Sequence, residues 1–266
     1  MRGIVMNDHM SQLKLLCEKA KLMPFYRALE SQEASAEVIE LGFIERACAL
    51  VEAQVGSNHI SKVSRLRKAA HLRWPQASLS DFSKIVDLPV KFAKLKDIAQ
   101  CNWIRDFRHL VITGKTGSGK THLACAMAQE VILQEYSVLY YHYPALIRDL
   151  KIADKAGDDV LAKLSKKLAK VNVLIIDDWG IQQLTSIERH LLFEMIEMRD
   201  QNGSLVITSQ YSPADWYDAF VDKTVADSTL DRIIPYSIIL DWDRDSFRDE
   251  RGRQLSNKPK KARSRS

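Results

Sequence analysis

Residues 114–121 read Gly-Lys-Thr-Gly-Ser-Gly-Lys-Thr, and this octapeptide constrains the chain more than any other stretch. An apolar run, Leu110-Val111-Ile112, precedes it, and an apolar-periodic stretch at residues 123–127 follows. The order predicts strand, glycine loop, helix, and the spacing fits G-x-x-x-x-G-K-[ST] from Gly114 to Thr121.

The chemistry accounts for the spacing. Gly114, Gly117 and Gly119 let the backbone curl so that successive N–H groups, with those of Lys115, Thr116 and Ser118, converge on an anion. The helix that follows adds the positive end of its dipole. Lys120 reaches the β- and γ-phosphates in such a loop, and the Thr121 hydroxyl binds Mg²⁺. The competing explanation is an accidental match on a surface loop, against which the flanking strand and helix patterns both count. A site for ATP with Mg²⁺ is expected here.

A second half of the site follows about 57 residues after Lys120, where Val173-Leu174-Ile175-Ile176 ends in Asp177-Asp178. A buried strand stopping at carboxylates is expected where it emerges beside the phosphate loop. Asp177 then holds the metal through water, and Asp178 stands where a general base would polarise an attacking water. An ordinary Asx turn closing a strand is the alternative. Leu205-Val206-Ile207-Thr208-Ser209 is a further apolar strand ending in small polar groups. Parallel strands share one ligand-binding edge, so Thr208 and Ser209 are expected near the γ-phosphate.

The rest of the chain organises around these runs. Residues 1–75 carry helical apolar spacing only, in three segments at about 11–30, 35–55 and 60–72, with Pro24 kinking or restarting the first. In the second, Val38, Leu41, Ile44 and Cys48 are expected inward. Residues 76–105 read as a linker entering the nucleotide domain. From residue 106 to 250 apolar β-rich runs alternate with helical patterns, which predicts a parallel sheet flanked by helices, an α/β fold behind a small all-helical domain. No helical lid is apparent after residue 240. Residues 251–266 hold seven Lys and Arg and no acid, more than the whole net charge of +5, and form a basic tail expected to be disordered.

The combination resembles the IstB-type transposition helper ATPases, AAA+ proteins related to the helicase loader DnaC and the initiator DnaA. It is carried by Ser78-Leu79-Ser80-Asp81-Phe82, by residues 114–124, and by Leu174-Ile-Ile-Asp-Asp-Trp-Gly180. Residues 188–194, 206–210 and 226–232, together with Asp245-Ser-Phe-Arg248, extend it. The resemblance implies an ATPase that assembles as a homo-oligomer on duplex DNA, without sequence choice, and assists an insertion-sequence transposase. It places the phosphate loop on residues 114–121, the magnesium carboxylate on Asp177, the sensor residue on Ser209 and an arginine finger on Arg232. A salt bridge from Arg232 to Asp227 or Asp231 is the plainer alternative for that residue. Asp178 departs from the glutamate usual in the class, and its shorter arm implies slow turnover. The rival reading is a DnaC-type loader acting on single-stranded DNA.

Composition narrows the setting. No apolar run is long enough for a membrane span, and residues 1–8 lack the apolar core of a secretion signal. Cys17, Cys48, Cys101 and Cys125 are scattered with no metal-ligand spacing, as expected of reduced thiols in a cytoplasmic protein. Three basic stretches compete for the DNA backbone: residues 62–73, residues 163–170 and the tail.

Overall fold

The computed structural model describes residues 2–85, 87–219 and 223–244. The basic tail, the lid question after residue 244 and Arg248 therefore lie outside the described residues. The chain divides into two compact units, Met1–Arg65 and Leu66–Ser266.

The first unit is helical. It comprises α1 (Arg2–Ala20), α2 (Met23–Glu33), α3 (Ala36–Ile39) and most of α4 (Phe43–Ala69). Pro24 restarts the chain rather than kinking it: Lys21 takes a left-handed turn, and the proline sits in the first turn of α2, where its missing N–H is not needed. The expected second helix begins as the separate α3, and its remainder runs on without a break into the expected third as α4. Gly56 within it costs about 1 kcal/mol relative to alanine, too little to break a helix of this length. The inward face also differs from expectation. Leu41, Ile44 and Cys48 are exposed, while Leu50, Gln54 and Val63 are buried. Polar clamps accompany this register: the Gln54 side chain accepts from the Phe25 N–H (3.3 Å), and Gln32 donates to the Arg46 carbonyl (3.0 Å).

The second unit is built on a five-stranded, wholly parallel sheet. Its strands are β1 (His109–Thr113), β2 (Val138–His142), β3 (Val173–Trp179), β4 (Ser204–Ser209) and β5 (Ser237–Asp241), in the order β2-β3-β4-β1-β5. Every residue of β1 and β4 is buried, as strands covered on both faces must be. α7 (Lys120–Leu133) follows the glycine loop and is buried nearly all round. α8 (Tyr143–Ala156), α9 (Asp158–Lys170), α10 (Ser186–Glu197) and α12 (Lys223–Leu230) complete the expected alternation, with the short α11 (Trp216–Ala219) ahead of the last. Leu146, Leu150, Ile176, Trp179, Leu192 and Trp216 share the main core cluster.

Residues 76–105 are a folded entry rather than an extended linker. Ser78 and Asp81 form a reciprocal capping box on a 3-10 turn (Leu79–Phe82), followed by α5 (Phe92–Ala99) and α6 (Asn102–Arg105). Phe82, Leu95, Ile98 and Trp103 are buried. Just before this, residues 67–75 run along the sheet edge. The Tyr140 N–H of β2 donates to the Ala70 carbonyl (2.9 Å), Arg67 donates to Gln129 of α7 (2.9 Å), and Gln129 donates to the Pro75 carbonyl (2.7 Å). An otherwise open strand edge is thereby covered.

Two buried polar groups tie the sheet's far end. The Arg199 guanidinium donates to the Val171 (3.1 Å), Ser204 (2.7 Å) and Leu168 carbonyls, joining α9 to the starts of β3 and β4. His109 accepts at Nδ1 from the Leu205 N–H (3.1 Å) and donates from Nε2 to the Arg232 carbonyl (3.1 Å), an arrangement that needs the neutral ring. All four cysteines are free, and burial pushes the Cys125 thiol up to about 11 and the Cys101 thiol up to about 12. No helix among the described residues is long and apolar enough to cross a membrane.

Burial lowers the His109 pKa to about 4, against 6.5 for a free imidazole. Between those values the unfolded chain binds the extra proton, so stability should fall as pH drops from about 6.5 towards 4. Denaturant midpoints for the protein and for His109→Gln across that window check this. The variant should lose part of the slope.

Candidate nucleotide site

The carboxyl ends of β1, β3 and β4 converge on one edge of the sheet, where open α/β folds bind ligands. The glycine loop rises from β1. Gly114, Gly117 and Gly119 have φ of 148°, 87° and 94°, conformations that side-chain-bearing residues rarely adopt. The loop is backed from behind. The Trp242 indole donates to the Ser118 carbonyl (3.0 Å), and the Trp242 N–H donates to the Thr113 carbonyl (2.6 Å). Trp242 packs edge-on against Phe82, which also meets the His122 ring, and His122 in turn donates to Asp81 (2.7 Å). The Ser78–Phe82 segment is thus a strut beneath the loop.

Lys120 is 5% exposed, and its ammonium donates to the carbonyls of Gly114 (2.7 Å) and Lys115 (2.9 Å), across the mouth of its own loop. Burial lowers its pKa, while the charges of Asp178, Asp177 and Asp243 oppose that shift. Thr121 donates to Asp177 Oδ1 (2.8 Å), and Thr208 of β4 donates to the same oxygen (2.6 Å). The Tyr140 hydroxyl of β2 donates to Oδ2 (2.6 Å), with the Arg73 guanidinium 3.6 Å from that oxygen. Asp177 is wholly buried and accepts three hydroxyl hydrogen bonds. β3 does not border β1; β4 lies between them, and Thr208 spans the gap.

Alternation along a strand puts consecutive side chains on opposite faces. Asp177 and Asp178 nonetheless both serve this edge, because Asp178 adopts a left-handed φ of 62° where the β3–β4 register slips. Such a bulge re-aims a side chain. The Asp178 N–H is held by Thr208 Oγ1 (3.0 Å), its carboxylate lies 3.4 Å from His142 Nε2, and it lines a cavity of about 340 Å³. Thr116, Gly117, Gly119, Lys120 and Thr121 line the same cavity.

One expected residue is placed elsewhere, and Arg232 has an ion-pair partner other than those expected. Ser209 does not reach the cavity: its hydroxyl donates to the Trp179 carbonyl (3.0 Å) and accepts from Trp216 Nε1 and the Tyr211 N–H (both 3.1 Å). Thr208, one residue earlier on the opposite face of β4, takes the position beside the carboxylates. Arg232 is also outside the cavity. It pairs with Glu197 of α10 (2.7 Å) and lies over the Phe193 ring, so its ion-pair partner is neither Asp227 nor Asp231.

Arg73, Trp74, His122, Ile181 and Gln210 complete the lining, with Gln210 accepting from Thr116 (2.7 Å). None of these is read from the glycine motif. Tyr140 and His142 have a retrievable signal, since residues two apart on β2 share a face, but the signal becomes useful only once β2 is known to border β3.

The donor set fits magnesium. Mg²⁺ takes hard oxygen ligands, commonly one or two from protein and the rest from phosphates and water. Thr121 and Asp177 already meet at hydrogen-bond distance. No group of three or more His, Cys, Asp or Glu suited to a metal occurs among the described residues.

A parallel sheet with a glycine loop, a following helix and a strand-end carboxylate against its threonine is a P-loop nucleotide-binding fold, here of the AAA+ type. Residues 16–255 match the model of the IstB-like ATP binding protein family, and the chain belongs to that family. It is 36% identical over 207 residues to a Pseudomonas fluorescens protein named as the ATP-binding protein of insertion sequence IS1162, covering 77% of this chain and 87% of that one. Its likeness to the IS5376 ATP-binding protein of Geobacillus stearothermophilus is 26% over 255 residues, covering 95% of this chain and 96% of that one. Among solved structures, the DnaC helicase loader superposes with a TM-score of 0.54 at 24% identity, over 63% of this chain and 97% of that chain. AMPPCP-bound DnaA from Aquifex aeolicus gives 0.54 at 17%, over 72% and 59%. At such identities these two structures speak to the fold.

A Cβ on Gly114 would lie 2.3 Å from the Trp242 carbonyl oxygen, a backbone atom unable to swing away. Gly114→Ala should therefore push the loop off its backing. The expected result is at least tenfold weaker binding of a fluorescent ATP analogue together with a lowered melting temperature.

Proposed function

We propose that this protein is a magnesium-dependent ATPase that assembles as an oligomer on duplex DNA, recruits or stimulates an insertion-sequence transposase, and disassembles after hydrolysis. The observation that carries the reading is the Thr121–Asp177–Thr208 linkage, which brings the phosphate loop and the strand-end carboxylate into one site. Family membership and the insertion-sequence names of its relatives support the transposition setting.

The geometry supports roles for Lys120 and Asp178, and the family resemblance supplies that of Arg232. Lys120 leaves its loop carbonyls for phosphate oxygens, and the loop N–H groups hold the phosphate chain. Thr121 and Asp177 would hold Mg²⁺, which would supply neutralisation of phosphate charge. Asp178, exposed to the cavity, polarises the attacking water, and His142 stands behind it. Its short arm is partly compensated by the left-handed turn that directs it to the cavity. Arg232, outside its own cavity, serves as an arginine finger towards the γ-phosphate of a neighbouring copy once its pairing with Glu197 opens.

For DNA, the three basic stretches are not equivalent. Arg67 and Arg73 of the first are turned to Gln129 and Asp177, and the tail lies outside the described residues. On α9, Lys163, Lys166, Lys167 and Lys170 are all exposed at i, i+3, i+4, i+7, a single basic row. Such a row neutralises phosphates without reading bases, and repetition around an oligomer multiplies weak contacts.

Electron microscopy of the protein with duplex DNA and a non-hydrolysable ATP analogue tests the assembly; equal coating of DNA without nucleotide would refute it. Asp178→Asn should keep ATP affinity within about twofold while slowing hydrolysis on the order of a hundredfold, with oligomers persisting on DNA. Arg232→Ala should leave ATP binding by dilute protein unchanged and remove the turnover that appears only on assembly, as measured by phosphate release against protein concentration.

A further inference from the structure

The Arg73 guanidinium lies 3.6 Å from Asp177 Oδ2 and also lines the cavity that holds Thr116, Gly117, Gly119, Lys120 and Thr121. It reaches this position from outside the glycine loop and its helix. Residues 67–75 are pinned on both sides of it, by Ala70 to β2 and by Arg67 and Pro75 to α7. The side chain is about half exposed and is part of the cavity lining.

We propose that Arg73 is a phosphate-contacting residue of the nucleotide site, held by Asp177 when no nucleotide is bound and transferred to the β- and γ-phosphate oxygens when MgATP enters. The proposal rests on reading the cavity as the nucleotide site. Asp177 is the carboxylate hydrogen-bonded to Thr121, and those two residues would hold the metal. With a divalent cation held by Thr121 and Asp177, that carboxylate would no longer need the Arg73 guanidinium, which would be repelled by the cation's charge. The triphosphate brings several negative oxygens into the same cavity, and a planar guanidinium can grip two of them at once. Asp177 lies behind Thr121, which lines the cavity, so the oxygens within Arg73's reach would be those beside Thr121. Arg73 therefore favours the triphosphate over the diphosphate.

The test is a titration of the full-length protein with MgATP and MgADP, comparing the parent with Arg73→Ala, Arg73→Lys and Lys120→Ala. Arg73→Ala should weaken ATP binding about tenfold or more and ADP binding much less, shrinking the preference between them. Arg73→Lys keeps the charge without the fork and should fall between the two. Unchanged binding of both nucleotides by Arg73→Ala would overturn the proposal. So would an equal loss for both accompanied by a lowered melting temperature, since that marks a purely structural arginine. Lys120→Ala should lose both nucleotides; parent-like binding by that variant would overturn instead the assignment of the cavity as the nucleotide site.

Discussion

The structure turns on a carboxylate that is fully withdrawn from water. An isolated buried carboxylate costs several kcal/mol, and Asp177 persists because three hydroxyls and a guanidinium surround it. Those groups come from α7, β4, β2 and the segment before the first 3-10 turn. One charge thus fixes the relative positions of four pieces of chain that are distant in sequence. On the proposed reading the same charge is the group a magnesium nucleotide would engage, so the contacts that hold this edge together would also be those that nucleotide binding rearranges.

Around it, the glycine loop is stiff where it might be thought loose. Its backbone follows conformations that only glycine adopts comfortably, yet it is buttressed by Trp242 from the chain beyond β5 and by Phe82 and His122 beneath. A loop that must present several N–H groups to one anion gains from such support, because donors already in place need not be ordered when the ligand arrives. The close approach of the Trp242 carbonyl to Gly114 shows how little room the arrangement leaves.

Much of the sheet unit was legible from local pattern. Unbroken apolar runs at residues 110–112 and 173–176 mark strands covered on both faces, and the three glycines with Lys120 and Thr121 carry a loop geometry in their spacing alone. The helical unit was less legible. Gly56 resembles a break and is none, and the buried face of α4 goes with its clamps to α2 rather than with its own apolar spacing. The entry segment misled for a related reason: short turns with serine and proline look like a tether until Phe82 and Trp103 are seen to be buried.

By itself the sequence determined that this chain has a phosphate-binding loop, a carboxylate-ended strand, an alternating α/β unit and a helical front, because each of these is written in contiguous residues. Only the tertiary structure decided that Thr208 rather than Ser209 stands beside Asp177, and that Arg73 and Tyr140 join the site. It also decided that Arg232 pairs with Glu197 and that Asp178 turns into the cavity. Those outcomes depend on strand order, on one register slip and on which face of a strand meets which neighbour. These are long-range pairings, settled by how the whole sheet buries its two faces, and no local spacing encodes them.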